Sequence, residues 1–272
     1  MDIVELQHLQ ATQKEMLRVY SQLCDKYGIQ YFAMYGTLLG TVRHQGTIPW
    51  DCDIDVVMYR AEYEKFLKVS RELPKQYELR TIVYGDPNLT GLTRIIKKKT
   101  RIYVPSNETE KGEIHIDIFV FDYAKQYIPV VKRIVSSVAK FFQIAKLDQY
   151  EKQWLYERFA SQKSKLFAVH LGEIIRKLAG SSKLERCVYS MLTSQVPTNE
   201  LITMEEADKR FPTECFNASV LMPYEDLMIS VPKEYERILS MEYGAYMEFP
   251  PEDERFTADM KKWMIDFDLP NE

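Results

Sequence analysis

The residues of this chain that could do chemistry gather in one stretch, Gly36 to Asp55. Asp53 and Asp55 stand two apart in Asp53-Ile54-Asp55-Val56-Val57-Met58, a run that turns apolar as a strand entering a core does. In a strand, side chains alternate faces, so the two carboxylates point the same way. Two acids that close repel each other and lose charge unless a cation sits between them. Mg²⁺ suits such a place, since it takes oxygen ligands, usually one or two carboxylates plus substrate phosphates. Asp51 continues the alternation; a metal role and a solvated acid in the preceding turn both stay open for it.

Upstream, Gly36 allows close approach of backbone to a ligand, and Thr37 adds a hydroxyl. The pattern predicts a short helical turn over Leu38 to His44, whose first N–H groups would face an anion. Arg43 is a planar fork suited to phosphate oxygens. Arg43 and His44 can equally brace the loop that follows, in which Pro49 and Trp50 read as anchors. A third acid, Asp117, sits inside the apolar run Ile114-His115-Ile116-Asp117-Ile118-Phe119-Val120-Phe121. An acid there costs free energy unless it is paired or metal-bound. Beside the first strand it would make three acids, serving as a further ligand or as general base toward a hydroxyl. Asp122 reads as a surface turn acid. The combination points to phosphate-transfer chemistry.

The whole stretch Gly36-Thr37-Leu38-Leu39-Gly40-Thr41-Val42-Arg43-His44-Gln45-Gly46-Thr47-Ile48-Pro49-Trp50-Asp51-Cys52-Asp53-Ile54-Asp55 resembles the signature of the LicD family. That family contains bacterial phosphocholine transferases and is related to the fukutin-related sugar-phosphate transferases. The ending, Val231-Pro232 and then Tyr243-Gly244 through Met247 to Pro250-Pro251-Glu252, is similar to the family's as well. The resemblance implies an α+β, nucleotidyltransferase-like (polymerase-β-like) fold: a mixed sheet carrying the acids, flanking helices and a helical insertion. It implies transfer of phosphocholine from CDP-choline, or of another alcohol phosphate from its CDP derivative, to a sugar hydroxyl. The acceptor would be a lipid-linked precursor of a teichoic acid or lipopolysaccharide type glycan. By the same carry-over Asp53 and Asp55 hold Mg²⁺, Gly36 and Thr37 contact the donor phosphates, and Asp117 is the third acid. Many members carry an aspartate where this chain has Cys52; alternation turns that position toward the core, where a small thiol is comfortable. Two rival readings remain: a nucleotidyltransferase moving NMP from an NTP to a small molecule, and a catalytically silent envelope-polymer assembly protein.

These residues need elements to position them. Helical spacing of Leu6, Leu9, Met16, Leu17, Tyr20 and Leu23 predicts an amphipathic helix over 3–27, stopped by Gly28. Strands are expected over 29–35, 53–58, 77–84, 92–97 and 114–121, a helix over 61–73, and a later helix over 232–241. This divides the chain into a catalytic core at 1–124, a basic helical insertion at 125–197, and a C-terminal part at 198–272 that packs back on the core. Residues 125–183 hold 12 Lys or Arg against 4 Asp or Glu, a local +8 in a chain of net −4. That contrast predicts either solvated helix faces or a peripheral contact with an anionic membrane surface.

Composition excludes other classes. With 46% apolar and 28% charged residues among 272, the chain is globular, neither disordered nor a disulfide-stapled miniature. Net charge −4 gives no reason to expect a nucleic-acid partner. Four scattered cysteines without a C-x-x-C pair read as free thiols of a reducing compartment. The N-terminus lacks the pattern of a signal peptide, and no run reaches the ~20 apolar residues that span a bilayer. A cytoplasmic protein, working at the inner face of the membrane, is expected.

Overall fold

A computed structural model describes residues 1–81, 92–104, 109–135, 188–206, 209–255 and 263–269. Helix α1 (Ile3–Tyr27) begins at Asp2, whose carboxylate accepts the N–H groups of Val4 and Glu5 while Glu5 accepts that of Asp2. This reciprocal cap satisfies donors that a helix start leaves open. Gly28 ends the helix in the left-handed conformation at φ +60°. Its predicted apolar stripe, Leu6 to Leu23, is buried.

The next elements depart from the sequence expectation in their bounds. Strand β1 is only Phe32–Ala33, and helix α2 runs Tyr35–His44, so Gly36 and Thr37 lie inside its first turn rather than before it. The chain changes from strand to helix at Tyr35, which takes φ +49°. Strand β2 runs Asp55–Tyr59, which leaves Asp53 in the segment leading into the strand. Helix α3 follows at Arg60–Val69. Then come β3 (Tyr77–Arg80), β4 (Thr93–Lys97), β5 (Arg101–Val104), β6 (Thr109–Gly112) and β7 (His115–Ala124). Strands β5 and β6 were not expected.

The chain forms two compact units. One comprises 1–80, 93–120 and 215–272; the other comprises 81–92 and 121–214. In the first, the strand order is β1-β2-β7-β4-β3. Pairs β1–β2, β4–β7 and β3–β4 are antiparallel, with Ala33 opposite Val56 and Arg94 opposite Asp117. Strands β2 and β7 meet where Asp117 N–H donates to Ile54 C=O at 2.8 Å. The core of this sheet is Phe32, Ile54, Val56, Val57, Ile95, Ile116 and Ile118, all buried.

The second unit is described through the end of β7 and through β8 (Thr193–Ser194), β9 (Glu200–Ile202) and β10 (Phe211–Pro212). Strands β8 and β9 pair with β7, and β10 pairs with β9. Ala124, Val188, Leu192 and Ile202 form its small core. Asp122 is buried here and accepts from the Tyr189 hydroxyl at 3.0 Å. It is therefore a strand acid, not a surface turn acid; the expected strand end at 121 was three residues short. The helices expected over 125–183 fall almost wholly outside the described residues.

The chain then returns to the first unit. Hairpin β11 (Ser219–Tyr224) and β12 (Leu227–Pro232) packs on β1, followed by helix α4 (Tyr235–Tyr243), the short α5 (Glu252–Arg255) and β13 (Met264–Asp266). Strand β13 pairs with β5, which pairs with β6. Among the described residues, no helix is long and apolar enough to cross a membrane.

Candidate active site

The acids are placed by short backbone ties. Asp55 is held on both sides: its N–H donates to the Thr37 hydroxyl at 2.8 Å, and its C=O accepts Met34 N–H at 3.1 Å. Thr37 is buried, and its own C=O accepts the Thr41 hydroxyl. The Thr37 hydroxyl thus joins the first turn of α2 to the first residue of β2. The adjoining tie, Asp117 N–H to Ile54 C=O, brings the third expected acid to the same strand end. Helix α1 closes the arrangement from behind. Gln10 Nε2 donates to the carbonyls of Ile48 and Asp51, and Gln13 Nε2 to those of Cys52 and His115. Gln13 is a buried amide on the apolar face of α1. A lone amide inside an otherwise apolar stripe was the signal that sequence reading passed over.

Asp51 joins the site as well. Its Oδ1 accepts Cys52 N–H at 3.0 Å, and its carboxyl is hydrogen-bonded to that of Asp53. A Cβ on Gly36 would overlap Asp51 Oδ2, so glycine at 36 makes room for this carboxyl. Gly40 serves the same loop: a Cβ there would overlap the carbonyl of Gly46, where the chain doubles back.

Burial raises the proton affinity of Asp51, and the Asp53 charge and hydrogen bond add to it. Asp53 is raised too, first by desolvation and then by the charge of Asp117, against the opposing Asp51 hydrogen bond and the His115 and Arg94 charges. Yet Asp53 itself is exposed to solvent. Two hydrogen-bonded carboxyls, both raised in proton affinity, are a pair that a cation would relieve.

Asp117 is buried, and its Oδ1 accepts from Arg94 Nε at 2.7 Å, directly across the β4–β7 pair. His115 lies alongside, with Nε2 at 3.8 Å from the same oxygen and Nδ1–H donating to Glu113 C=O. Burial, then the Arg94 charge, lowers its proton affinity and favours the neutral ring. Alternation in Thr93-Arg94-Ile95-Ile96 marks Arg94 as the polar member of a buried strand, but nothing in the sequence says which acid it meets.

Two tyrosines complete the surroundings. The buried Tyr224 hydroxyl lies 2.9 Å from Thr47 Oγ1. Burial raises the proton affinity of Tyr243, at the end of α4, and the charges of Glu242, Asp51, Asp55 and Asp53 add to it.

Arg43 and His44 lie two turns along α2. Arg43 Nη1 donates to the carbonyls of Tyr246 and Glu248, both at 2.9 Å, and its guanidinium lies over Phe249. His44 meets Trp50 and Phe249 edge-on, and burial, then Arg43, lowers its proton affinity. Of the expected site residues, Gly36, Thr37, Asp53, Asp55 and Asp117 converge at one strand end. Arg43 and His44 gather instead at an aromatic platform near the C-terminus.

Among the described residues, no group of three or more His, Cys, Asp or Glu side chains is arranged to hold a metal ion. The donors present, hard carboxylates of which Asp53 is solvent-exposed, fit Mg²⁺ of the kind completed by substrate phosphates and water.

Comparison with known sequences bears on this geometry. Residues 28–146 match the family described as LicD/FKTN/FKRP, nucleotidyltransferase domain. The chain is 26% identical over 257 residues to the lipopolysaccharide cholinephosphotransferase LicD of Haemophilus influenzae, covering 88% of this chain and 90% of that one. It is 28% identical over 159 residues to an uncharacterised protein of Rickettsia typhi, covering 56% of this chain and 40% of that one. The matched LicD-family domain contains the Gly36–Asp55 stretch, β7 and Asp117, and so carries the acids of this site.

Proposed function

We propose that this protein is a transferase that moves phosphocholine from CDP-choline to a sugar hydroxyl of a cell-surface glycan precursor. A nucleotidyltransferase-like core would carry the reaction. The observation that carries the reading is the meeting of Asp51, Asp53, Asp55 and Asp117 at one strand end of a LicD-family domain. The relative named as a lipopolysaccharide cholinephosphotransferase supplies the substrate class.

In this reading Asp53 and Asp55 hold Mg²⁺, which when bound would neutralise the donor diphosphate and the leaving CMP. Thr37 keeps Asp55 in place through its backbone N–H. The acceptor oxygen attacks the phosphorus attached to choline. A new P–O bond to the sugar forms while the bond from that phosphorus to the bridging oxygen breaks, and CMP leaves carrying that oxygen and the bonding electron pair. The acceptor's proton passes to Asp117, whose Oδ1 is held by Arg94 so that the carboxylate is oriented. The protein contributes positioning and fixed charge rather than a covalent intermediate. The +8 segment at 125–183 would meet the anionic surface that carries a lipid-linked acceptor.

The test is CMP release from CDP-choline, CDP-ribitol and CDP-glycerol, with Mg²⁺ and a crude lipid-linked glycan fraction. The expected result is CMP from CDP-choline, abolished by Asp53→Ala. Pyrophosphate from an NTP, with no CMP from any CDP-alcohol, would replace this reading with nucleotidyl transfer.

A further inference from the structure

At the far end of α2 from the acids, two arginines share one aromatic platform. Arg43 lies 5.0 Å from the Phe249 ring centre; Arg255 lies 5.7 Å from the same ring and 5.0 Å from that of Trp50. Arg255 Nε donates to Pro250 C=O at 2.9 Å. The Arg255 guanidinium is thus fixed by two rings and at one edge, while its side chain stays 30% exposed.

These cations are poorly neutralised. Among the described residues Arg43 has no carboxylate partner. Among the described residues Arg255 has only Glu252, at 3.9 Å and 91% exposed, and makes no ion pair with Asp253 or Glu254 of α5. Among the described residues Arg43 Nε and both ring nitrogens of His44 are buried without a hydrogen-bond partner. Orphaned buried donors together with two like charges on one ring are an arrangement that an anion would relieve. A planar guanidinium fixed at one edge is also preorganised to grip a phosphate through its other edge. A purely structural staple would explain the ring contacts but not the unneutralised charge.

We propose that Arg255 and Arg43, on the Phe249–Trp50 platform, form an anion subsite for a second phosphate-bearing part of the substrate. The site's spacing from the acids is the length of α2. Gly36 touches Asp51, and Arg43 is seven residues further, about 10 Å along the axis. Trp50 directly precedes Asp51, which ties the platform to the acids from the other side. This inference rests on the phosphotransferase reading for the identity of the substrate, but not for the existence of the site. The phosphate belongs either to the nucleotide donor or to a phosphorylated sugar of the acceptor.

The experiment is calorimetric titration of the full chain, with Mg²⁺ present, using CDP and glucose 6-phosphate as separate probes. The variants are Arg255→Gln, Arg255→Lys and, as a control for the acid site, Asp53→Ala. Thermal melts accompany each. A loss of roughly ten- to a hundredfold in affinity for one probe on Arg255→Gln is expected, the worth of a charge-assisted bond pair. The melt should be unchanged and Arg255→Lys should restore part of the affinity. Loss confined to CDP assigns the donor; loss confined to glucose 6-phosphate assigns the acceptor. Equal affinities in wild type and Arg255→Gln, or no binding of either probe by wild type, overturn the proposal. Should Arg255→Gln fail to fold, Phe249→Leu replaces it with the same criteria. Intact probe binding with no CMP release from any donor would sink the phosphotransferase reading and leave the subsite standing.

Discussion

At the residue scale, the Asp51–Asp53 pair dominates. Both carboxyls hold their protons more tightly in the folded chain than an ordinary aspartate does, chiefly through desolvation. The folded state therefore binds more protons than the unfolded one above the ordinary carboxylate range, and stability falls as pH rises through that window. A divalent cation opposes the repulsion, so its stabilising effect grows in the same direction. Melting curves at about pH 5 and about pH 8, with and without Mg²⁺, check this. The shift caused by Mg²⁺ should be larger at the higher pH, and Asp51→Asn should flatten the pH dependence of the metal-free protein. An equal Mg²⁺ effect at both pH values would contradict the pairing. Gly36 belongs to the same scale. Gly36→Ala drives a methyl group into Asp51 Oδ2, so activity should fall at least about tenfold, as expected when reacting groups are misplaced. Asp51→Ala in the Gly36→Ala background should recover melting temperature. Sequence reading proposed Gly36 for its closeness to a ligand; the structure adds a side chain that it must clear.

At the element scale, the site exists because α1, α2 and β7 are each tied to the segment leading into β2. The Thr37 hydroxyl carries the α2 tie. Thr37→Val leaves the buried Asp55 N–H without an acceptor and should cost about 1–3 kcal/mol, whereas Thr37→Ser keeps the bond and most of the stability. Chemical denaturation of the two variants separates a structural hydroxyl from one used only by substrate. Gln13 carries the α1 tie. Gln13→Leu keeps the apolar face but frees the carbonyls of Cys52 and His115. It should reduce kcat more than it raises the KM for donor. A variant with wild-type kinetics would show that α1 does not set the acid geometry. Element types were legible in advance from apolar spacing: α1 by its helical stripe, β4 and β7 by their β-rich runs. Boundaries were not, because a single residue, Tyr35 at φ +49°, ends the strand and begins the helix. No local pattern announces an aromatic side chain in that conformation.

At the scale of the whole molecule, charge is unevenly shared. The +8 of residues 125–183 is set against −12 in the rest of the chain. If this segment meets an anionic surface, the protein should sediment with vesicles containing anionic lipid and come off as salt is raised past a Debye length of about 8 Å. Glu substitutions at Lys132 and Arg133 should weaken that association. Sedimentation independent of lipid charge would remove the membrane role.

The sequence by itself determined the family resemblance and the α+β class, and it singled out the candidate acids. These depend on residue types at short spacing, and local chemistry is written locally. Only the tertiary structure decided which groups face each other. Arg94 meets Asp117 because β4 and β7 pair in one register, and register is a long-range fact. Asp51 leans on Gly36 and is hydrogen-bonded to Asp53 because a loop folds back over α2. Arg43 reaches Phe249, more than two hundred residues away, because the C-terminal segment crosses the end of that helix. Contacts between distant segments are selected by packing of the whole chain, so no window of sequence contains them.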